Sequence, residues 1–358
     1  MFRESAQILK STDCYMMENN PAKIPYHLSD YVLRKYFVET GTRQSWLPVQ
    51  QKNGRNIALA VSGGGDSLAL LWMFRKFYEG DVTAIHINHG IRGNESDDDE
   101  RFTAMTAKNL GANFRAVRVD VPSEKMKGES LETSARRLRL NALASTAREL
   151  GITSIMLGHN RDDLAETVLF NILRGTGIRG AVGMTESTQA YGVTFFRPLL
   201  GLRRETLRDI LRVRGLTWRE DSTNNDDRYT RNFIRLKLLP VIESNINASA
   251  AEHLAQFGGD MRKIRDNEDE RSREILTSCL DDSHTLDRKK LRKFSHDDIA
   301  IVIRDLGRRL GLKTLSRGRC SELAGLIVKG GNFIFQWCGN MTVIGRNGKI
   351  FFEEGKSV

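Results

Sequence analysis

Cysteines are few in this sequence, and none forms a C-x-x-C pair. Four occur among 358 residues, at the scattered positions Cys14, Cys279, Cys320 and Cys338. This spacing argues against a disulfide framework, a cysteine-bound zinc site and an iron–sulfur centre. It is typical of a protein kept in a reducing compartment, and the cytoplasm is the expected location.

Long hydrophobic runs are also missing. No stretch approaches the ~18 consecutive apolar residues of a membrane-spanning helix. The first residues lack the charged-then-apolar order of a secretory signal. The remaining composition, 40% hydrophobic and 28% charged, is that of a globular protein long enough for two domains. We therefore expect a soluble protein without a membrane partner.

Acidic residues are outnumbered by basic ones. Lys and Arg number 55 against 45 Asp and Glu, which gives a formal net charge of +10. Such an excess indicates a polyanionic partner such as nucleic acid, although a solubilising surface gives the same sum. The positions of the basic residues therefore matter more than their number.

A glycine-rich turn links the first clear strand pattern to the first clear helix pattern. The apolar residues 57–61 predict a buried strand, and the apolar run from Leu68 predicts a helix. Glycines between them allow a close backbone approach, and the free N–H groups of a helix start favour an anion. The turn therefore predicts a phosphate site, with a tight turn capped by Ser62 or Asp66 as the structural alternative.

The turn is not a Walker A loop, because no lysine follows its glycines. Its aspartate would be repelled by phosphates unless a Mg²⁺ ion bridged the two, so we predict Mg²⁺ as a cofactor and Asp66 as the residue that binds it. The candidate phosphate-binding residues are Ser62, Gly63, Gly64, Gly65, Asp66 and Ser67.

Strand and helix patterns alternate after this turn. Residues 82–87, 114–119 and 154–158 predict strands, whereas residues 94–100 begin a helix and residues 131–150 form a long one. This alternation predicts βαβ units and a parallel sheet, whose ligands lie at the carboxyl ends of the strands.

The richest cluster of polar residues follows the predicted strand 154–158. His159, Asp163 and Glu166 are spaced by four and three residues, so they share one face if a helix has begun by His159. Two acids beside a base suit the recognition of an amine or a bound cation. Capping of the helix by Asp162 and Asp163 is the structural alternative. No H-x-x-x-H pair is present, so the pattern does not predict a zinc site.

Eight motifs in this order resemble those of the tRNA(Ile)-lysidine synthase family, a branch of the N-type ATP pyrophosphatases that carry a PP-loop. The resemblance is dense over residues 56–240 and loose over residues 250–355. The motifs occupy residues 62–67, 86–92, 135–139, 159–167, 174–180, 197–200, 219–224 and 231–235.

The resemblance implies an activity. Enzymes of this family adenylate the C2 oxygen of the wobble cytidine in an isoleucine tRNA with a CAU anticodon, and the ε-amine of L-lysine then displaces AMP. The product, lysidine, changes the codon read from AUG to AUA. The implied cofactor is ATP, and the implied partners are this tRNA and L-lysine. The sequence does not determine the oligomeric state, and a homodimer is included among the expectations.

The resemblance also implies roles for individual residues. Residues 62–67 match the pyrophosphate cradle, with Asp66 acting through Mg²⁺, and His86 matches the strand edge beside the adenosine. Arg136 matches an arginine of the reaction centre. The lysine side of the site would consist of His159, Asp163 and Glu166. Whether His159, a carboxylate or a phosphate oxygen takes the proton from lysine stays open.

The predicted fold class is α/β, a Rossmann-like doubly wound parallel sheet followed by a smaller α+β domain. We expect an N-terminal extension over residues 1–55, a catalytic domain over 56–240, a helical linker over 241–275 and a small tRNA-binding domain over 276–358. Helix 203–214 is expected to pack on the core with an exposed basic stripe that includes Arg204. Residues Asn347 and Gly348 predict a two-residue hairpin.

Two rival functions remain. A tRNA-thiolating enzyme on the same ATP-binding fold would need paired cysteines or an iron–sulfur cluster, and the sequence offers no such pair. A non-catalytic, basic RNA-binding protein with a decayed nucleotide site would not need to keep the loop and both acidic residues intact.

Overall fold

The computed structural model describes residues 24–46, 56–90, 94–220, 230–280, 285–339 and 341–354. The chain divides into two compact units, residues 1–258 and 259–358. Among the described helices, none has the length and apolar character that a membrane crossing requires. The finer division into extension, catalytic domain, linker and small domain stays a prediction.

A six-stranded sheet forms the centre of the first unit, in the order β3-β2-β1-β4-β6-β5. The strands are β1 (Asn56–Ala60), β2 (Asp81–Asn88), β3 (Asn113–Arg118), β4 (Ser154–Met156), β5 (Ser187–Ala190) and β6 (Val193–Phe196). All neighbours pair in parallel except β5, which runs antiparallel to β6. The predicted doubly wound parallel sheet is thereby confirmed.

Helices connect these strands. They are α1 (Asp30–Arg43), α2 (Gly65–Phe77), α3 (Asn94–Asn109), α4 (Leu131–Glu149), α5 (Arg161–Leu173), α6 (Ile178–Ala181), α7 (Arg204–Arg212), α8 (Thr230–Phe233) and α9 (Leu239–Asn245), with a π-helical turn (Ile234–Leu238) between the last two. Helix α10 (Ala250–Cys279) continues from the first unit into the second.

Strand β1 is buried on both faces because its side chains alternate between two apolar clusters. Ile57 and Leu59 pack with α2 and α7, whereas Ala58 packs with α4 on the opposite face. The strand order reverses at β1, since β2 lies on one side and β4 on the other. Ligands of doubly wound folds bind at this switch point, beyond the carboxyl ends of the strands.

Helix α1 packs against the same core, although it precedes the first strand. Phe37 and Trp46 are buried, and their rings contact Phe74 of α2 with centroids 4.8 and 5.0 Å away. The Tyr36 hydroxyl donates a 2.7 Å hydrogen bond to the carbonyl of Pro198. Residues 1–23 and 47–55 of the expected extension lie outside the described residues.

The second unit combines helices with an antiparallel sheet of order β7-β10-β9-β8, which confirms a smaller α+β part. Its elements are β7 (Leu286–Asp287), α11 (Arg288–Leu291), α12 (His296–Arg309), α13 (Arg317–Lys329), β8 (Phe333–Gln336), β9 (Met341–Arg346) and β10 (Lys349–Glu354). The predicted hairpin joins β9 to β10. Its two central residues, Asn347 and Gly348, have φ of 53° and 76°, as a type I′ turn requires.

Candidate functional site

The glycine-rich loop leaves β1 and enters α2 at the switch point of the sheet. Helix α2 begins at Gly65, earlier than the apolar run suggested, and Gly64 is its N-cap. No side chain caps this N-terminus, so the structural alternative, a turn capped by Ser62 or Asp66, is not observed. Gly63 has a φ of 91°, and a Cβ there would stand 2.9 Å from the Thr103 hydroxyl. The loop therefore requires glycine and presents an uncapped helix start, which suits an anion.

Serine hydroxyls hold this loop in shape. Ser67 donates to the carbonyl of Gly64 at 2.8 Å and accepts from the backbone N–H of Ser62 at 3.2 Å. The hydroxyls of Ser62 and Ser67 lie 3.2 Å apart. Hydrogen bonds of the two serines that flank the glycines thus stabilise the turn from within.

The segment after α7 covers the loop from outside. The backbone N–H of Arg219 donates to the carbonyl of Gly63 at 3.0 Å, and its Nε donates to Asp99 at 2.8 Å. A Cβ on Gly65 would lie 3.4 Å from the ring of Trp218. The loop is therefore held by contacts with both α3 and the segment that follows α7.

A cavity of about 560 Å³ opens beside the loop, at the carboxyl ends of β1, β2 and β4. Its size is within the range of pockets for small ligands and cofactors. Among the predicted site residues, its lining includes Ser62, Gly64, Gly65, Asp66, Ser67, His86 and His159. Asp163 and Glu166 are not part of this lining, but both contact Arg204, which is.

His86 is buried at the end of β2. Its Nδ1 lies 2.9 Å from the carbonyl of Val61, so Nδ1 carries the proton and donates this bond. Burial lowers the pKa of His86, and the ring is therefore neutral at neutral pH.

Helix α5 begins at Arg161, with Asn160 as its N-cap. The condition that the helix has begun by His159 is not met, because His159 precedes the N-cap. The structural alternative, capping of the helix, is observed for Asp163. Its carboxylate accepts a hydrogen bond from the N–H of Asn160 at 3.0 Å, and its own N–H donates to Asn160 Oδ1 at 2.9 Å, which makes a capping box. Asp162 accepts a 2.7 Å bond from the N–H of Arg204 at the start of α7.

Three carboxylates meet at the guanidinium of Arg204. Its Nη2 donates to Asp163 at 2.9 Å and to Glu166 at 3.1 Å, and its Nε lies 3.6 Å from Asp66. The side chain of Arg204 is only 14% exposed. The prediction that Arg204 belongs to an exposed basic stripe is wrong, because its side chain pairs with these three carboxylates instead of facing solvent.

Further contacts surround this acidic cluster. The side-chain amide of Asn160 donates to Asp66 at 3.0 Å. Glu166, only 2% exposed, has Arg231 at 3.8 Å and Arg235 at 4.0 Å. These arginines come from the segment 230–238, which follows residues outside the described part of the chain.

Burial and charge shift the pKa values of these acids in different directions. Burial, reinforced by the charge of Asp163, raises the pKa of Asp66 to about 6, although Arg204 opposes this. The pKa of Glu166 is raised by burial and by Asp163. Burial also acts on Asp163, but Arg204, His159 and the N–H of Asn160 together lower its pKa below the ordinary value. The cluster thus contains one strongly ionised acid between two that are easier to protonate.

Some polar atoms of the cavity lining are shielded from solvent and make no hydrogen bond to a described residue. They include Nε of Arg139, Nδ1 of His159 and Nε of Arg204. Burial, together with Arg139 and Arg197, lowers the pKa of His159 to about 3, so the ring is neutral. Burial and the neighbouring Arg136 and Arg231 lower the pKa of Arg139 to about 10.

Arg139, rather than Arg136, is the arginine of α4 that lines the cavity. Arg136 stands one turn earlier with an exposed side chain, outside that lining. The role that the resemblance implies for Arg136 stays a prediction. The sequence contained the signal for Arg139, since both arginines belong to the motif at residues 135–139, but nothing in the spacing decides which one faces inward.

Two motifs extend beyond what the structure describes. Residues 91–92 of the motif after β2 and residues 221–224 of the motif after Arg219 lie outside the described residues. The six other motifs lie within them, and the loop, His86, His159, Asp163 and Glu166 all belong to the switch-point edge of the sheet.

Comparison with known proteins places this geometry in a family. The model of the PP-loop domain matches residues 38–242. The tRNA(Ile)-lysidine synthases of Symbiobacterium thermophilum, Thermus thermophilus and Chlorobaculum tepidum are 35%, 43% and 36% identical over 70%, 56% and 65% of this chain. The matches cover 50%, 38% and 70% of those relatives, so the chain spans about half the length of the first of them. On these matches, the chain belongs to the PP-loop family, within the group of tRNA(Ile)-lysidine synthases.

Proposed function

We propose that this protein joins L-lysine to C2 of the wobble cytidine, C34, in the CAU anticodon of tRNA(Ile). In the first step the C2 oxygen attacks the α-phosphate of ATP, and pyrophosphate leaves. In the second step the ε-amine of lysine attacks C2, AMP leaves with the oxygen, and the amine loses a proton. The product reads AUA instead of AUG.

The observation that carries this proposal is the junction of two chemically different sites. The glycine-rich loop offers an anion cradle, and its Asp66 lies 3.6 Å from Arg204. The same guanidinium contacts Asp163 and Glu166, the acidic pair on the amine side. A reaction that activates an oxygen with ATP and then admits an amine needs both sites within a few ångströms of each other.

The residues of the loop suit the triphosphate of ATP. The uncapped N-terminus of α2 supplies backbone N–H donors, and a Cβ on Gly63 or Gly65 would crowd Thr103 or Trp218. Among the described residues, no group of three His, Cys, Asp or Glu side chains could hold a metal ion by itself. Asp66 would therefore hold Mg²⁺ together with phosphate oxygens, as is usual for this ion, which would neutralise charge on the phosphates.

The acceptor side combines Asp163 and Glu166 with His159. The neutral imidazole of His159 has an Nδ1 without a hydrogen bond to described residues, so it can accept or donate one when a substrate enters. Arg136 remains the proposed arginine of the reaction centre by resemblance, and Arg139 adds a guanidinium inside the cavity. Fixed guanidiniums stabilise charge that develops on a phosphate.

The basic surplus of the chain suits an RNA partner, and exposed arginines such as Arg136 and Arg174 are candidates for phosphate contacts. We propose tRNA(Ile), ATP and L-lysine as the ligands, the cytoplasm as the location and a homodimer as one oligomeric state to be measured. The basic residues 289–293 of the second unit are further candidates for contacts with tRNA.

Incubation with ATP, radiolabelled lysine and a tRNA(Ile) transcript carrying the CAU anticodon tests this function. We expect lysine to enter the tRNA while AMP and pyrophosphate form, and the methionine tRNA with the same anticodon serves as the specificity control. Asp66→Ala should abolish adenylation and leave tRNA affinity largely intact. Release of ADP and phosphate, or tRNA without bound lysine, would contradict the proposal.

A further inference from the structure

Arg204 occupies an unfavourable position for a cation. It is the first residue of α7, where the helix dipole places partial positive charge. Its side chain is also 14% exposed, and the removal of a guanidinium from water costs free energy unless acceptors replace the water. Such departures from local preference are typical of functional sites.

Carboxylates on two different helices provide this compensation. Asp163 and Glu166 of α5 accept hydrogen bonds of 2.9 and 3.1 Å from one nitrogen, Nη2. Asp66 of α2 lies 3.6 Å from Nε, which makes no hydrogen bond to a described residue. Arg204 therefore links helices α2 and α5, and its Nε–H at the cavity wall is available to a ligand.

Within 4.0 Å of one another, the described carboxylates and guanidiniums of this cluster are equal in number. Asp66, Asp163 and Glu166 face Arg204, while Arg231 and Arg235 approach the buried Glu166 within 3.8 and 4.0 Å. Three carboxylates are thus matched by three guanidiniums. The acidic pair does not present a net negative charge to a ligand that enters the site.

This balance matters for a primary amine. Uncompensated carboxylates raise the pKa of a nearby amine and hold it as ammonium, which has no lone pair for attack. Carboxylates that are already paired with arginine still accept a hydrogen bond from the amine but favour the ammonium form much less. The surroundings of Asp163 and Glu166 therefore suit a neutral nucleophile.

We propose that Arg204 is a positioning residue for the acceptor amine, the resident counter-charge that lets Asp163 and Glu166 hold the side chain of lysine as a free amine. The inference rests on the proposed function. Without this guanidinium, the acidic pair would bind lysine as ammonium, more tightly but in an unreactive state.

The test compares Arg204→Gln, Arg204→Lys and the wild-type protein for lysine KM, kcat and the Kd of lysine by calorimetry with a non-hydrolysable ATP analogue. For Arg204→Gln we expect kcat to fall at least about tenfold while lysine KM and Kd fall about threefold to tenfold, because a net negative charge now attracts ammonium. Arg204→Lys retains the charge, so its lysine Kd should stay within about twofold of wild type.

Arg214→Gln is a matched structural control. Arg214 is similarly buried and contacts Asp30 at 3.0 Å and the ring of Trp72 at 3.9 Å, away from the cavity lining. It should lower stability without changing lysine affinity. A weaker lysine Kd for Arg204→Gln, or a kcat unchanged from wild type, would overturn the proposal. If that variant does not fold, a lysine Kd of Arg204→Lys raised well beyond twofold would overturn it.

The two proposals fail in distinguishable ways. If the wild-type protein binds lysine but does not transfer it to tRNA, the proposed function is contradicted while the calorimetric comparison still decides the role of Arg204. If the wild-type protein binds no lysine in the presence of the ATP analogue, both proposals are overturned.

Discussion

Asn160 joins the two strand ends that flank the switch point of the sheet, because its side-chain amide donates a 3.0 Å hydrogen bond to Asp66 across 94 residues of sequence. The same side chain accepts from the N–H of Asp163 at 2.9 Å and so caps α5. Asn160 is completely buried. One amide thus fixes the loop aspartate and the start of the acidic helix in relation to each other.

Replacement of Asn160 by Ala should affect stability and activity together. The lost cap should cost about 1 kcal/mol of the free energy of unfolding. Asp66 would also lose the hydrogen bond that holds its carboxylate in place, so ATP-dependent adenylation should fall by at least about tenfold, because small displacements of a catalytic group lower the rate strongly. Urea denaturation and pyrophosphate release measure the two effects.

The matched control for this change is Ser130→Ala. Ser130 caps α4 with a 3.2 Å bond from the N–H of Thr133, and it lies outside the cavity lining. It should lose a similar amount of stability and retain full adenylation. Equal activity losses in the two variants would show that Asn160 acts only as a helix cap.

Gly158, two residues after the end of β4, packs closely against the start of α2. A Cβ there would stand 3.2 Å from the backbone N and Cα of Ser67 and 3.3 Å from the carbonyl carbon of Asp66. Gly158→Ala should therefore push the loop away from the strand, destabilise the protein by about 1–3 kcal/mol and weaken ATP binding. Gly325→Ala, a helical position in the second unit with open space around it, should be neutral or slightly stabilising. Unchanged ATP affinity in Gly158→Ala would refute the tight contact.

The sequence predicts those parts of this protein whose signals are local. Apolar runs predicted β1 and β2 to within a residue or two, because a buried central strand is nearly continuous in apolar side chains. Asn347 and Gly348 predicted their hairpin because few other residue pairs tolerate two positive φ values. The alternation of strands and helices also predicted the edge of the sheet at which the site residues gather, because ligands of parallel sheets lie at the carboxyl ends of the strands.

The parts that sequence reasoning missed depend on contacts between distant residues. Arg204 has the helical spacing of an exposed residue, and only the fold brings it to Asp163, 41 residues away, and to Glu166, 38 residues away. The helical spacing of His159 and Asp163 left open a start of α5 at His159, but the helix begins at Arg161. Asn160 is the N-cap instead, and its side chain forms hydrogen bonds with both Asp163 and Asp66.

Substitutions of Arg139 and Arg136 test which of the two arginines acts in adenylation. Arg139→Gln removes the guanidinium that lines the cavity, so adenylation should fall by about 10²–10³-fold if it stabilises charge on the reacting phosphate. Arg136→Gln changes an exposed side chain and should act mainly on tRNA affinity, with a shallower dependence of binding on salt. The reverse pattern, in which only Arg136→Gln loses adenylation, would support the role implied by resemblance for Arg136 alone.

His159, a half-buried residue whose Nδ1 is shielded from solvent, should make the stability of the protein sensitive to acid. Its pKa is about 3 in the folded state, chiefly because of burial, against an ordinary value of 6.5. The unfolded chain therefore takes up this proton first as the pH falls, so the contribution of neutral His159 is complete above about pH 6.5 and is lost between there and about pH 3. Each pH unit in this window costs at most about 1.4 kcal/mol. Chemical denaturation at pH 7 and pH 5 should thus show a loss of up to about 2 kcal/mol in the wild-type protein that is absent from His159→Gln. Equal losses in both proteins would mean that His159 takes up its proton over the same pH range in the folded and unfolded states, which would contradict its lowered pKa.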